Sequence, residues 1–264
     1  MIIQKSYTKQ FITLSFVMVI VLLVSISLGS VAIPIDEIIA ILLGNNSSKS
    51  SWSTIILHFR LPKAITAMLV GSGLSIAGLL MQTLFKNPLA GPFVLGISSG
   101  ASLGVAILIL GAGIFGGVLT TVSFSSWGLA IASSLGAAIV LLAVLITAHK
   151  VRNTMSILII GLMFGTVTSA IISVFTFFSN ADKIQQFVFW GFGSLGNLSW
   201  NEILVFFIIY LISILTLLNV IKPLNTFLLG ENYAKSLGIN IKKNRNIILI
   251  ITPSTFDINS IFPL

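Results

Sequence analysis

RLPKAITAMLVGSGLSIAGLLMQTLFKNPLAGPFVLGISSGASLG, residues 60–104, opens on two basic side chains, continues as an uncharged apolar run, turns at Lys86 with two closely spaced prolines, and starts a second apolar run. Nothing ionisable lies between Lys63 and Lys86. Such a run has the length needed to cross a bilayer, where about 20 apolar residues span roughly 30 Å of hydrocarbon. Pro62 suits the first turn of a helix, because its missing N–H would go unpaired there anyway. Asn87-Pro88 and Gly91-Pro92 reverse the chain, each proline holding the residue before it extended.

The rest of the chain repeats this pattern. Of its 264 residues, 56% are apolar and 8% charged, and the mean hydropathy is +1.11. A water-soluble globule carries about 25% charged residues, so this chain belongs in a membrane. Six spans are expected, at Phe11–Ser30, Ala64–Gln82, Pro92–Leu110, Trp127–Ala148, Met155–Phe178 and Ile203–Ile221. The uncharged interval from Phe93 to Ala148 folds into two spans at its small-residue patch, Gly111 to Ser126. Lipid offers no hydrogen-bond partners, so each crossing is helical and the fold class is all-α and polytopic. The first apolar run is long and lacks a small-residue cleavage site, which favours a retained span over a secretory signal.

Charge sets the orientation. With a cytoplasmic N-terminus, the inner segments hold Lys5, Lys9, Lys86, Lys150, Arg152, Lys222, Lys235, Lys242, Lys243 and Arg245, and the outer ones Lys49, Arg60, Lys63 and Lys183. That asymmetry follows the positive-inside rule and accounts for the net charge of +8 without a nucleic acid. None of the six spans carries Asp, Glu, Lys, Arg or His, which argues against a proton-coupled carrier, while Na⁺ coupling through backbone carbonyls stays open. There is no G-x-x-x-x-G-K-[ST] loop, so ATP hydrolysis, if used, occurs in another subunit. There is no cysteine, and His58 and His149 lie far apart, leaving neither a catalytic constellation nor a metal site. Asp36 and Glu37 suit the start of an interfacial helix, where negative charge is favourable.

Several residues allow two readings. Arg60 and Lys63 either anchor a helix end at the headgroups or meet an acidic partner. Gly71, Ser75 and Gly78 form a small stripe suited to close helix packing in lipid. Ser98, Ser99 and Ser102, with Gly100 and Gly104, either line a polar pathway or pack. In the fifth span Gly161, Gly165, Ser169 and Ser173 recur every four residues on one face, with the same two readings. Glu231 opens a short segment in which Tyr233 and Leu237 share a face, and Gly238 is suited to stop it.

RLPK at 60–63, LVGSGLSIAGLLMQ at 69–82, KNPLAGP at 86–92, LGISSGASLG at 95–104, FWGFGSLGNLSW at 189–200 and LLGENYAKSLGIN at 228–240 together closely resemble the FecCD-type permeases. These are membrane subunits of ABC importers for iron-siderophore complexes, haem and cobalamin. The resemblance implies a type II importer permease of ten helices, of which this chain holds about six and the start of a seventh. It implies that Arg60 and Lys63 receive acidic side chains of an extracytoplasmic substrate-binding protein. It also implies that Gly230, Glu231, Tyr233, Ala234, Leu237 and Gly238 belong to the coupling helices docked on the ATPase, and that the fifth span lines the pathway. The implied partners are an ABC ATPase dimer, a second permease and membrane lipid, with no cofactor and no catalytic role of its own, in the cytoplasmic (inner) membrane. The resemblance weakens after Ile251. Only Ile247 to Ile251 is apolar before Thr252-Pro253-Ser254, about 9 Å of helix, so the expected division is a permease domain at 1–252 and an unrelated tail at 253–264, with a truncated, inactive permease as the alternative. A secondary transporter or channel is the remaining rival.

Overall fold

The computed structural model describes residues 7–45, 48–111, 126–149, 151, 154–196 and 198–256, and among these every regular element is helical. The chain divides into two compact units, one of residues 1–68 and 195–203, the other of residues 69–194 and 204–264.

In the first unit, α1 (Thr8–Ser27) is an apolar helix of 20 residues, about 30 Å long at 1.5 Å per residue. Nearly all its side chains are exposed, Phe11, Leu14, Phe16 and Val21 among them, an arrangement stable only against lipid. α2 (Ile35–Leu42) has Asp36 and Glu37 in its first turn and ends before Gly44, whose φ of 82° only glycine adopts readily. It presses Ile38 and Ile41 into a cluster with Ile26, Ile33, Ile56 and Ala64. Glu37 also accepts the N–H of Ser48 at 3.2 Å and its hydroxyl. α3 (Ser50–Ile55) then widens into a π-helical turn, Ile56–Arg60, which leads without a break into α4 (Leu61–Phe85).

The second unit takes most of α4 and then a short 3₁₀ turn, Pro92–Leu95. It continues through α5 (Ile97–Ile109), α6 (Ser126–His149), α7 (Thr154–Phe177) and α8 (Ala181–Phe192), and then α9 (Trp200–Leu218), whose first residues lie in the first unit. The last three helices are α10 (Ile221–Leu229), α11 (Glu231–Ser236) and α12 (Ile241–Phe256). Its core gathers Met81 and Phe85 of α4, Leu95, Ile97 and Ala101, Val140 and Val144 of α6, Ile157 of α7, Ala234, and Ile248 and Leu249 of α12. Ser199 and Glu202 cap α9 reciprocally, the carboxylate accepting the Ser199 N–H and hydroxyl at 2.8 Å each, as the S-x-x-E spacing allows.

α5 sits closest to its neighbours. A Cβ on Gly104 would lie 2.0 Å from the Ala132 carbonyl oxygen, and one on Gly136 would lie 2.2 Å from that of Gly100. Backbone therefore meets backbone between α5 and α6. The turn before α5 approaches α7 as closely, since a Cβ on Gly161 would lie 2.6 Å from the Val94 carbonyl oxygen.

Two expectations change. The third span, Pro92–Leu110, is not one helix: Gly96 at φ 70° separates the 3₁₀ turn from a helix of 13 residues. At about 20 Å it is shorter than the hydrocarbon layer. Five described helices are long and apolar enough to cross a membrane, against the six expected spans. At the other end, α12 is longer than the apolar stub Ile247–Ile251. It starts at Ile241, where Asn240 Oδ1 accepts the Lys243 N–H at 3.0 Å, and runs through Pro253 to Phe256. Most of the expected fold-over at Gly111–Ser126, and Lys150 and Arg152, lie outside the described residues.

Candidate functional site

Three sets of residues stand out, and the first surrounds Arg60. Its Nη1 donates to the carbonyls of Ile26 and Ser27 at 2.7 and 2.8 Å, and its Nη2 donates to that of Val31. A cation thus sits on the C-terminal end of α1, where carbonyls left unpaired by the helix carry partial negative charge. Gly29 makes the approach possible, since a Cβ there would stand 2.7 Å from Nη2. Lys63, three residues on, is exposed in the first turn of α4. The two basic residues are therefore placed differently, one turned inward onto carbonyls and the other outward. The widened turn between α3 and α4 is held from a distant part of the chain, the Trp200 indole Nε1 donating to the Leu57 carbonyl at 3.0 Å.

The second set is the small-residue face. Ser98, Ser99 and Ser102 are half-buried on α5, and Ser99 Oγ lies 3.6 Å from where a Gly165 Cβ would stand. Gly161 is buried against Val94 and Leu95, whereas Ser169 and Ser173 are exposed. Their hydroxyls donate to the carbonyls of Gly165 and Ser169 at 2.9 and 3.0 Å. The four-residue stripe of α7 thus splits into a packed half and an open half. On α4 the expected packing stripe has no neighbour, since a Cβ on Gly71 or Gly78 would meet nothing within 4 Å. Close packing there is not made within this chain. One side-chain bond does join α4 to α9, the Tyr210 hydroxyl donating to Ser72 Oγ at 2.8 Å.

The third set is the pair α10 and α11. Gly230 at φ 119° separates them, and Glu231 is the first residue of α11. Gly238 at φ 76° closes the segment, donating its N–H to the Lys235 carbonyl at 2.9 Å, while Ile239 donates to that of Ala234 at 3.0 Å. Ala234 is wholly buried in the core of the unit, while Tyr233 and Leu237, one turn apart, are 50% and 58% exposed. Leu228 and Leu229 at the end of α10 are exposed as well. The sequence reading passed over these two; a leucine pair directly before Gly230 was the signal. A single small residue in the core thus carries a short helix whose outer face is apolar.

The FecCD transport family model matches residues 17–254. The chain is 29% identical over 256 residues to the molybdate import system permease protein MolB of Haemophilus influenzae, covering 94% of this chain and 72% of that one. It is 33% identical over 197 residues to the vitamin B12 import system permease protein BtuC of Salmonella typhi, covering 74% of this chain and 57% of that one. A solved structure described as a metal-chelate type ABC transporter in an inward-facing conformation superposes with a TM-score of 0.81 at 26% identity, over 97% of this chain and 76% of the other. The chain is thus shorter than each of these relatives.

Proposed function

Because the chain belongs to the FecCD transport family, we propose that it is a permease subunit of an ATP-driven importer that moves an iron-siderophore or related metal chelate across the cytoplasmic membrane. Its partners in this reading are an ABC ATPase dimer, a second permease and an external substrate-binding protein. The relatives' own names point to vitamin B12 and molybdate import and to metal chelates, which supports an importer of bulky or oxyanionic metal cargo and leaves the chelate open.

The observation that carries the reading is the α10–α11 pair. Apolar side chains exposed beside a segment rich in lysine are unfavourable in water and call for a protein partner. Leu228, Leu229, Tyr233 and Leu237 supply such a surface, and the burial of Ala234 makes the surface move with the core of its unit. The ATPase then acts on the spans through Gly230 to Gly238. On the opposite side the binding protein docks at the Arg60–Lys63 turn, with Lys63 offering the exposed charge and Arg60 holding the turn in shape. Ser98, Ser99 and Ser102, with Gly161, Gly165, Ser169 and Ser173, flank the route of the cargo. The charge asymmetry places the N-terminus inside.

Co-expression with an ABC ATPase from the same genome tests this. Wild-type chain is expected to co-purify with the ATPase, and a Tyr233→Asp, Leu237→Asp variant to lose it while remaining in the membrane fraction. Uptake that survives depletion of ATP, or an ATPase retained by the double variant, would overturn the assignment.

A further inference from the structure

At the end of the bundle where α4 and α6 finish and α7 begins, a cavity of about 20 Å³ is lined by Leu84, Lys86, Thr154, Phe227, Ile241 and Arg245. Arg245 is only 3% exposed, and its Nη2 donates to the Ala148 carbonyl at 3.3 Å. Lys86 reaches the same cavity from the residue after α4, in a left-handed conformation at φ 49°. Thr154 and Ile241 are the first residues of α7 and α12, so two helix N-termini, the positive ends of their dipoles, abut the cavity. No carboxylate is among its lining residues. Two cations and two helix starts converge on one small space, and every contribution has the same sign.

A water molecule would fill the volume, but it would leave the potential uncompensated. We propose that the cavity takes one anionic oxygen of a phosphate group, the source being a membrane phospholipid. The space holds a single oxygen-sized ligand and no more, so the phosphorus and the rest of the headgroup stay at the mouth. Position favours the lipid as source. The apolar stretch of α6 ends at Ala148, the residue whose carbonyl Arg245 holds, which puts the guanidinium level with the headgroups. Basic clefts at that depth attract anionic lipid. Free phosphate presents the same oxygen, so the two sources are separated by experiment. Nothing in this site depends on the importer reading; it requires only that the chain lie in a membrane.

The test is thermal unfolding of the purified full chain in detergent micelles, with phosphatidylglycerol, phosphatidylcholine or inorganic phosphate added in turn. Phosphatidylglycerol is expected to raise the midpoint above that with phosphatidylcholine. Lys86→Asn, which removes the charge but tolerates the left-handed backbone, is expected to lose at least about half of that shift, ligand binding to the folded state being its source. Lys222→Asn, at an exposed lysine outside the cavity, should keep all of it. A shift produced equally by inorganic phosphate and lost in Lys86→Asn upholds the site with a free anion as its occupant. If neither phosphatidylglycerol nor phosphate exceeds phosphatidylcholine, or if Lys86→Asn responds as the wild type does, the site does not exist.

Discussion

Replacing Gly136 by alanine adds one methyl group at the tightest kind of contact this chain makes. The new Cβ would stand 2.2 Å from the Gly100 carbonyl oxygen and 2.8 Å from the Gly104 nitrogen. Real Cβ atoms keep at least about 3.0 Å, so α5 and α6 must separate by roughly 0.8 Å; both opposing atoms are backbone and no side chain can swing aside. Overpacking of this kind costs about 1–3 kcal/mol. Alanine also gains up to about 1 kcal/mol over glycine in a helix interior, which would mask part of the loss. Gly78→Ala on α4 cancels that term, because it shares the gain and its Cβ meets nothing within 4 Å. The difference between the two variants is therefore the steric cost alone, about 1–3 kcal/mol, or up to roughly a hundredfold in the ratio of folded to unfolded protein. Reversible unfolding in mixed micelles, followed by tryptophan fluorescence, measures it. Equal stabilities for Gly136→Ala and Gly78→Ala would refute a backbone contact between α5 and α6.

Arg60→Ala should destabilise the protein by at least about 1.5–3 kcal/mol, the usual worth of a hydrogen bond to a charged group, and Arg60→Lys should recover only part, since an ammonium cannot bridge three carbonyls as the fork does; hydrogen exchange at the end of α1 reports the loosening. Lys63→Glu should leave stability unchanged and weaken capture of the external binding protein, and an equal loss of stability in both would show that the two basic residues do not divide their roles. For the α4–α9 bond, a double-mutant cycle of Tyr210→Phe and Ser72→Ala should give a coupling of about 0.6–1.7 kcal/mol, and zero coupling would mean the pair is not made.

Long apolar runs announced the spans because burial in lipid demands them, and α1, α6, α7 and α9 fall close to their expected limits. Hydropathy could not separate the 3₁₀ turn from α5, since Pro92 to Leu110 is uniformly apolar and only the sign of φ at Gly96 breaks the helix. The extent of α12 was hidden for the opposite reason, its flanks being polar while Asn240 still starts the helix. Around the candidate site, the segment from Glu231 to Gly238 was readable because a negative first turn and a glycine stop are local signals. The seat of Arg60 was not, because its acceptors are main-chain carbonyls some 30 residues earlier, and a carbonyl leaves no mark on residue type. Nor can spacing say whether a smooth stripe such as Gly71 to Gly78 meets a helix of its own chain.

The widened turn at Ile56–Arg60 bears on how the chain's length can vary. A π turn accommodates one residue more than an α turn while the helices on either side keep their phase. Removing a residue from the middle of α4 would swing everything before it by about 100°, taking Arg60 away from the end of α1. Removing one from Ile56–Arg60 would let the turn close to ordinary helical width, with loss mainly of the seat for the Trp200 indole. The turn stores one residue of slack beside the Arg60–Lys63 pair, and it is there that insertions and deletions can be absorbed without turning either helix.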